Sequence, residues 1–231
     1  MRRNPPTPLP ASRLPPQPIG LLGGTFDPIH FGHLRLAEEL AEVLDLAEVH
    51  LIPAGHPPHR ATPRASGEDR LAMARLATAN NPRLVVDGRE IANPEPSYSV
   101  NTLGALRAEQ PAGTPIILFM GSDAFLGLAT WHEWQRLFDL AHIAVAQRPG
   151  FSSTLWEDAL PDVLRKQMAT RRCTDPAELS AKPAGRVYMH AITQMDISSR
   201  QIRDRALRGL SLRYLVPDPV IDYINEHRLY A

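Results

Sequence analysis

Residues 19–44 read IGLLGGTFDPIHFGHLRLAEELAEVL. Ile19-Gly20-Leu21-Leu22 is a short apolar run ending in Gly23-Gly24, the pattern of a buried strand that meets a turn. From Gly32 to about Leu44, apolar residues recur at helical spacing: Leu34, Ala37, Leu40, Ala41 and Leu44. A strand, a glycine-rich turn and a helix in succession predict the opening of a β-α-β unit. The turn also predicts a binding place. Its glycines permit backbone angles that other residues resist and let a ligand approach the main chain. The helix start offers unpaired N–H groups and the positive end of a dipole, which suit a phosphate. His30 and His33, three apart at that helix start, add donors that can point toward one place. Gly32 between them removes a side chain that would stand between backbone and ligand.

The same alternation continues along the chain. Further strands are predicted at 49–53, 84–86, 116–120, 143–146 and 187–189. Helices are predicted from an N-cap at Ser66, with Glu68 and Asp69 in an acidic first turn, to about Asn80, and then at 99–109, 199–208 and 219–227. Residues 151–185 are weakly patterned; helix is expected there, with a loop around Pro176 and Pro183. Strands alternating with helices predict an α/β fold: a Rossmann-like, doubly wound, mainly parallel sheet with helices on both faces. In such sheets ligands bind beyond the carboxyl ends of the strands, where strand order reverses. The informative loops are therefore 23–33, 53–60, 121–134 and 147–150. Residues 1–18, MRRNPPTPLPASRLPPQP, read as a proline-rich leader without fixed structure. Residues 19–231 are expected to form a single domain with C-terminal helices.

Composition narrows the partners. The chain has 231 residues, 25 basic and 25 acidic, for a formal net charge of zero. Nothing in that balance draws the chain to nucleic acid or to an anionic membrane, so anion binding must be local. No apolar run is long enough to span a bilayer, and the leader lacks the apolar core of a signal peptide. Cys173 is the only cysteine, which excludes an intrachain disulfide and fits a reducing, cytoplasmic setting. Two histidines invite a metal, but a metal site wants three or four convergent ligands. Asp27 is near, Pro28 fixes the chain between, and no fourth ligand presents itself, so no protein metal site is expected. The turn is neither a Gly-Lys-Ser/Thr phosphate loop nor GxGxxG.

Taken together, several stretches carry a resemblance. They are GGTFDPIHFGHL (23–34), IPAGHPPHR (52–60), PSYSVNTL (96–103), GSDAFLGLATWHEW (121–134), RPG (148–150), DISSRQIR (196–203) and LVPDPVIDYINEHRLY (215–230). The first alone resembles the HxGH signature of the nucleotidyltransferase superfamily. The set resembles the bacterial nicotinate mononucleotide adenylyltransferase family. The resemblance implies that ATP and nicotinate mononucleotide are joined into deamido-NAD with release of pyrophosphate, a step of NAD biosynthesis, with Mg2+ accompanying ATP. The mononucleotide phosphate attacks the α-phosphorus directly, without a covalent enzyme intermediate. Such chemistry needs positioning and charge neutralisation rather than a protein nucleophile.

The resemblance also implies roles. His30, His33 and Arg203 are the implied catalytic residues. Gly23, Gly24, Thr25, Phe26, Arg60, Gly121, Asp123, Ser198 and Ser199 join them in binding ATP. Thr25, Ser99, Thr102, Asp123, Trp131, His132 and Arg148 are implied to bind nicotinate mononucleotide, with Trp131 as the stacking platform for the pyridine ring. The chain departs from the family pattern at Arg60, where many relatives have lysine, at Ser99, where many have threonine, and at His132, where tyrosine is common. Arg200 stands where a small polar residue is usual and reads as exposed, as does His56. No nucleic acid or membrane partner is implied, and the oligomeric state stays open. Two other readings remain: an HxGH enzyme acting on nicotinamide mononucleotide or phosphopantetheine, and a nucleotide-binding protein without catalysis.

Overall fold

The computed structural model describes residues 16–58, 62–147, 158–193 and 195–231. Seven strands form one sheet: β1 (Ile19–Gly24), β2 (Glu48–Pro53), β3 (Leu84–Val86), β4 (Ile116–Gly121), β5 (His142–Gln147), β6 (Arg172–Cys173) and β7 (Val187–Ala191). Their order is β3-β2-β1-β4-β5-β7-β6, and every pairing is parallel. The chain runs outward from β1 to β3, then returns to place β4 on the other side of β1. Strand order therefore reverses between β1 and β4, and the crevice beyond their carboxyl ends opens at Gly24 and Gly121.

Both faces of the sheet are buried, so the central strands are apolar throughout rather than alternating with polar residues. The period of two still decides which residue goes to which side. Leu22, Ile117, Phe119, Ala144 and Ala146 join one core, while Leu21, Ile116, Leu118, Met120, Ile143 and Val145 join the other. The first core is covered by α1 (Phe31–Val43), α2 (Gly67–Thr78) and the last two helices of the chain. The second is covered by α4 (Ser99–Glu109) and α6 (Leu137–Leu140), and by α7 (Asp162–Arg171) through Leu164 and Met168. Short helices α3 (Arg89–Ala92), α5 (Ser122–Leu126) and α8 (Ala177–Ser180) fill connections. The chain ends in α9 (Ser199–Leu207) and α10 (Asp218–Glu226).

The fold is the doubly wound parallel sheet that the sequence predicts. Some short elements were not anticipated. Strand β6 has only two residues, too few for any periodicity to register, α3 and α6 have four each, and α5 has five. Of the leader, Pro16 and Gln17 are exposed and Pro18 is buried; residues 1–15 lie outside the described residues. No described helix is long and apolar enough to cross a membrane.

Candidate active site

The turn between β1 and α1 is shaped by what its side chains rest on. Phe26 adopts a left-handed backbone (φ 49°) and is buried, with its ring edge-on to His33 at 4.9 Å. A Cβ on Gly24 would come within 2.7 Å of that ring, so only glycine admits it. His30 is the N-cap of α1, in extended backbone. Its ring stacks on that of His33, centroids 3.7 Å apart and planes 24° from parallel. The backbone N–H of His30 donates to His33 Nδ1 at 3.3 Å. A neutral His33 therefore carries its proton on Nε2. Gly32 has a sharper role than expected. A Cβ there would meet the His30 ring at 3.0 Å, so the glycine makes room for the imidazole itself. Burial lowers the pKa of His30 to about 4, so the uncomplexed side chain is neutral at pH 7.

Between Phe26 and His30 lies Asp27, which works as a knot. Its carboxylate accepts from the backbone N–H of Arg64 (2.8 Å), the N–H of Ala65 (3.1 Å) and the hydroxyl of Tyr230 (2.8 Å). Burial, together with the Asp27 charge, raises the Tyr230 pKa, so the phenol stays protonated and donates. The other side of the turn is met by the start of α9. Ser199 Oγ donates to the Pro28 carbonyl at 2.9 Å, and Arg203 donates to the Asp27 carbonyl at 2.6 Å. Ser198 caps α9 by accepting from Gln201 N–H. The structure thus brings His30, His33, Ser199 and Arg203 onto one turn, with Arg203 one helical turn beyond Ser199. Arg200 is exposed, as the sequence predicts.

A second group gathers where α4 begins. Ser99 is the first residue of α4, and Tyr98 before it lies against His132 with centroids 4.3 Å apart and planes tilted by 31°. That contact draws the loop bearing Trp131 and His132 to the helix start. Trp131 is half-buried against the second core and His132 is exposed. Thr102 is buried and donates its hydroxyl to Glu90 Oε1 at 2.5 Å, so its proton is committed within the protein. Gly121 caps α5, which places Asp123 in the first turn of that helix rather than at its cap. His56 is exposed. Arg60 and Arg148 lie outside the described residues. Among the described residues, no three His, Cys, Asp or Glu side chains group as a metal site.

Comparison with known proteins follows the same lines. The family model described as cytidylyltransferase-like matches residues 21–205. A protein of Dechloromonas aromatica (strain RCB) named "Probable nicotinate-nucleotide adenylyltransferase" is 50% identical over 214 residues, 93% of this chain and 98% of that one. One of the same name from Halorhodospira halophila is 47% identical over 219 residues, 95% and 98% of the two chains. The chain belongs to the nicotinate-nucleotide adenylyltransferase family. Among solved structures, the Plasmodium falciparum nicotinic acid mononucleotide adenylyltransferase complexed with NaAD superimposes with a TM-score of 0.70 at 16% identity. That alignment covers 93% of this chain and 97% of the other, and it bears on the fold alone.

Within this member of the adenylyltransferase family, sequence reasoning missed three residues that hold the site. Asp27 read only as an unlikely metal ligand, and Tyr230 stood at the end of a resembling stretch with no role assigned, because its partner is 203 residues away. Arg70 is 1% exposed and donates to three backbone carbonyls. A signal for it exists: Arg70, Met73, Ala74 and Thr78 are the buried positions of α2, spaced three to four apart, so Arg70 falls on the core face. Cys173 is buried with its pKa raised by that burial, the state of an inert thiol.

Proposed function

We propose that this chain transfers the adenylyl group of ATP to nicotinate mononucleotide, yielding deamido-NAD and pyrophosphate. The observation that carries the proposal is the stacked His30–His33 pair at the start of α1, facing the same turn as Ser199 and Arg203. Donors of this kind suit a polyphosphate. In the reaction an oxygen of the mononucleotide phosphate attacks the α-phosphorus. The bond from that phosphorus to the bridging oxygen breaks, and the electron pair leaves with pyrophosphate. The protein's part is to align the two phosphates and offset the charge that builds on the leaving oxygens.

His30 enters this scheme neutral, because burial disfavours its charged form. A bound polyphosphate pulls the other way, so substrate binding itself favours protonation of the pair. His33, with Nδ1 accepting, offers Nε2–H as donor. Asp27 has its oxygens taken by Arg64, Ala65 and Tyr230, which leaves the turn a set of donors rather than a cage for a bare cation. Mg2+ fits this site as an ion carried by the phosphates of ATP, where it would neutralise charge on the departing pyrophosphate. On the other side, Trp131 would stack on the pyridine ring, and the start of α4 at Ser99 would offer N–H and O–H donors to the substrate carboxylate. A carboxylate wants donors only, whereas an amide wants an acceptor as well.

The deciding experiment is pyrophosphate release with Mg2+ and ATP, comparing nicotinate mononucleotide, nicotinamide mononucleotide and phosphopantetheine. Strong preference for the acid is expected. Preference for the amide or for phosphopantetheine would keep adenylyl transfer and overturn the choice of substrate. No release with any of them would leave a binding protein.

A further inference from the structure

The buried Arg70 of α2 ties the loop after β1 to the loop after β2. Its Nη1 donates to the Thr25 carbonyl at 2.7 Å, just after β1, and to the Ala54 carbonyl at 2.6 Å, just after β2. Its Nη2 reaches the Gly55 carbonyl at 3.4 Å. β1 and β2 are paired side by side, and the backbone tie runs on past Pro53 to the Ala54 N–H, which donates to the Gly24 carbonyl at 2.8 Å. Arg70 Nη1 carries the tie further by holding the Thr25 and Ala54 carbonyls together, and Nη2 adds Gly55.

We infer that Arg70 is a positioning residue for adenylyl transfer: by gripping Thr25, Ala54 and Gly55 from beneath, it fixes the direction of the peptide units that border the phosphate-binding turn. In a trans peptide the C=O and N–H point in opposite directions. The consequence is visible on the β2 side. The Ala54 and Gly55 carbonyls face Arg70, and the N–H groups of the same peptide units, Gly55 and His56, both donate to Ser97 Oγ at 3.0 Å. On the β1 side the same rule applies. Among the described residues only Asp27–Pro28 is cis, so the Thr25–Phe26 unit is trans and its N–H, on Phe26, points away from Arg70. Phe26 also holds the left-handed conformation that starts the turn toward His30. Arg70 thus orients a donor beside the histidine pair without touching a substrate.

Charge supports the same role. Among the described residues no carboxylate forms an ion pair with Arg70, and carbonyl dipoles leave a guanidinium its full unit of charge. Asp27 acts on it only through space. A buried cation without a paired acid, placed under a turn that receives phosphates, favours anion binding above it. Lysine cannot reproduce this grip, because its stem is shorter and its one ammonium nitrogen cannot stand both where Nη1 meets Thr25 and Ala54 and where Nη2 reaches Gly55. The inference rests on the adenylyl-transfer reading for its kinetic test.

The test uses the full chain with Arg70→Lys and Arg70→Met, measuring melting temperature, ATP binding by calorimetry, and kcat and KM from pyrophosphate release. Arg70→Lys keeps the charge and is expected to melt close to wild type. Its kcat is nevertheless expected to fall by about ten- to a hundredfold, since small misplacement costs that much. Arg70→Met is expected to lose ATP affinity as well. A kcat and an ATP affinity of Arg70→Lys equal to wild type would overturn the inference, even if Arg70→Met fails to fold, and would make Arg70 a structural tie alone. If the wild type binds ATP but transfers nothing, the functional reading fails. Weaker ATP binding by a stably folded Arg70→Lys would still support the positioning role.

Discussion

Around residues 25–30 the ties come from far along the chain: Arg70 to Thr25, Arg64, Ala65 and Tyr230 to Asp27, Arg203 to Asp27 and Ser199 to Pro28. Around Ser99, Trp131 and His132 the contacts described are lighter, a tilted aromatic contact of Tyr98 with His132 and the half-buried packing of Trp131. The first region is fastened before any substrate arrives. That suits the proposed meeting of this turn with a polyphosphate in one geometry, since donors already in place need no reorganisation in the reaction. The second region is an open shelf, which suits recognition of a flat ring by stacking. The contrast predicts that damage to the turn shows in kcat, and in stability as well where a tie is removed outright, while damage to the shelf shows in KM alone.

The strongest way to break the contrast is His33→Ala. Turnover is expected to fall about 10³-fold, as when a donor to developing charge is removed, with a smaller effect on nicotinate mononucleotide binding. A variant with wild-type turnover would remove the turn from the chemistry. Next comes pH. With a folded pKa of about 4 against 6.5 for the free side chain, His30 takes up its proton more readily in the unfolded chain. Its contribution to stability is whole above pH 6.5 and is lost as pH falls toward 4. Between pH 7 and pH 4.5 this amounts to about 2–3 kcal/mol. Denaturant titrations at both pH values should show that much less pH dependence in His30→Gln than in wild type; identical dependence would show that burial of His30 is not the cause.

Asp27→Asn tests the knot. An amide can neither hold the charge nor accept as strongly from Tyr230 and two N–H groups, so about 2 kcal/mol of stability should be lost, read as a lower denaturation midpoint. Midpoint and turnover both unchanged would loosen the claim that the turn is prefastened. Trp131→Ala should have the smallest effect on the fold and a selective one on function. The KM for nicotinate mononucleotide should rise about tenfold or more, the worth of a lost stack, with the melting temperature close to wild type. Equal KM values would mean that the ring rests elsewhere.

How much of this was legible beforehand depends on the range of the signal. The turn, its flanking strand and α1 are written within residues 19–44, so periodicity and glycines suffice. The sheet follows from five further apolar runs. What was not legible is long-range: Asp27 finds Tyr230, and Arg70 finds two strand exits, and no local pattern names such partners. Gly32 was legible as necessary but for another reason, since the space it keeps is filled by His30. The role of Thr102 is qualified in the same way, because its hydroxyl meets Glu90, a carboxyl whose pKa burial pushes up. The two-residue β6 could not have been read from any periodicity.

The bond from Tyr230 to Asp27 has a consequence for how the molecule comes into being. A ribosome delivers Tyr230 203 residues after Asp27. During synthesis the strand β1 and the helix α1 can form from local residues, yet the carboxylate between them waits for its phenol until some two hundred further residues have been made. Contacts of such separation are also the slow ones in refolding. The turn between β1 and α1 is therefore made long before it is locked, and a chain cut short of Tyr230 would carry His30, His33, Ser199 and Arg203 without that fastening.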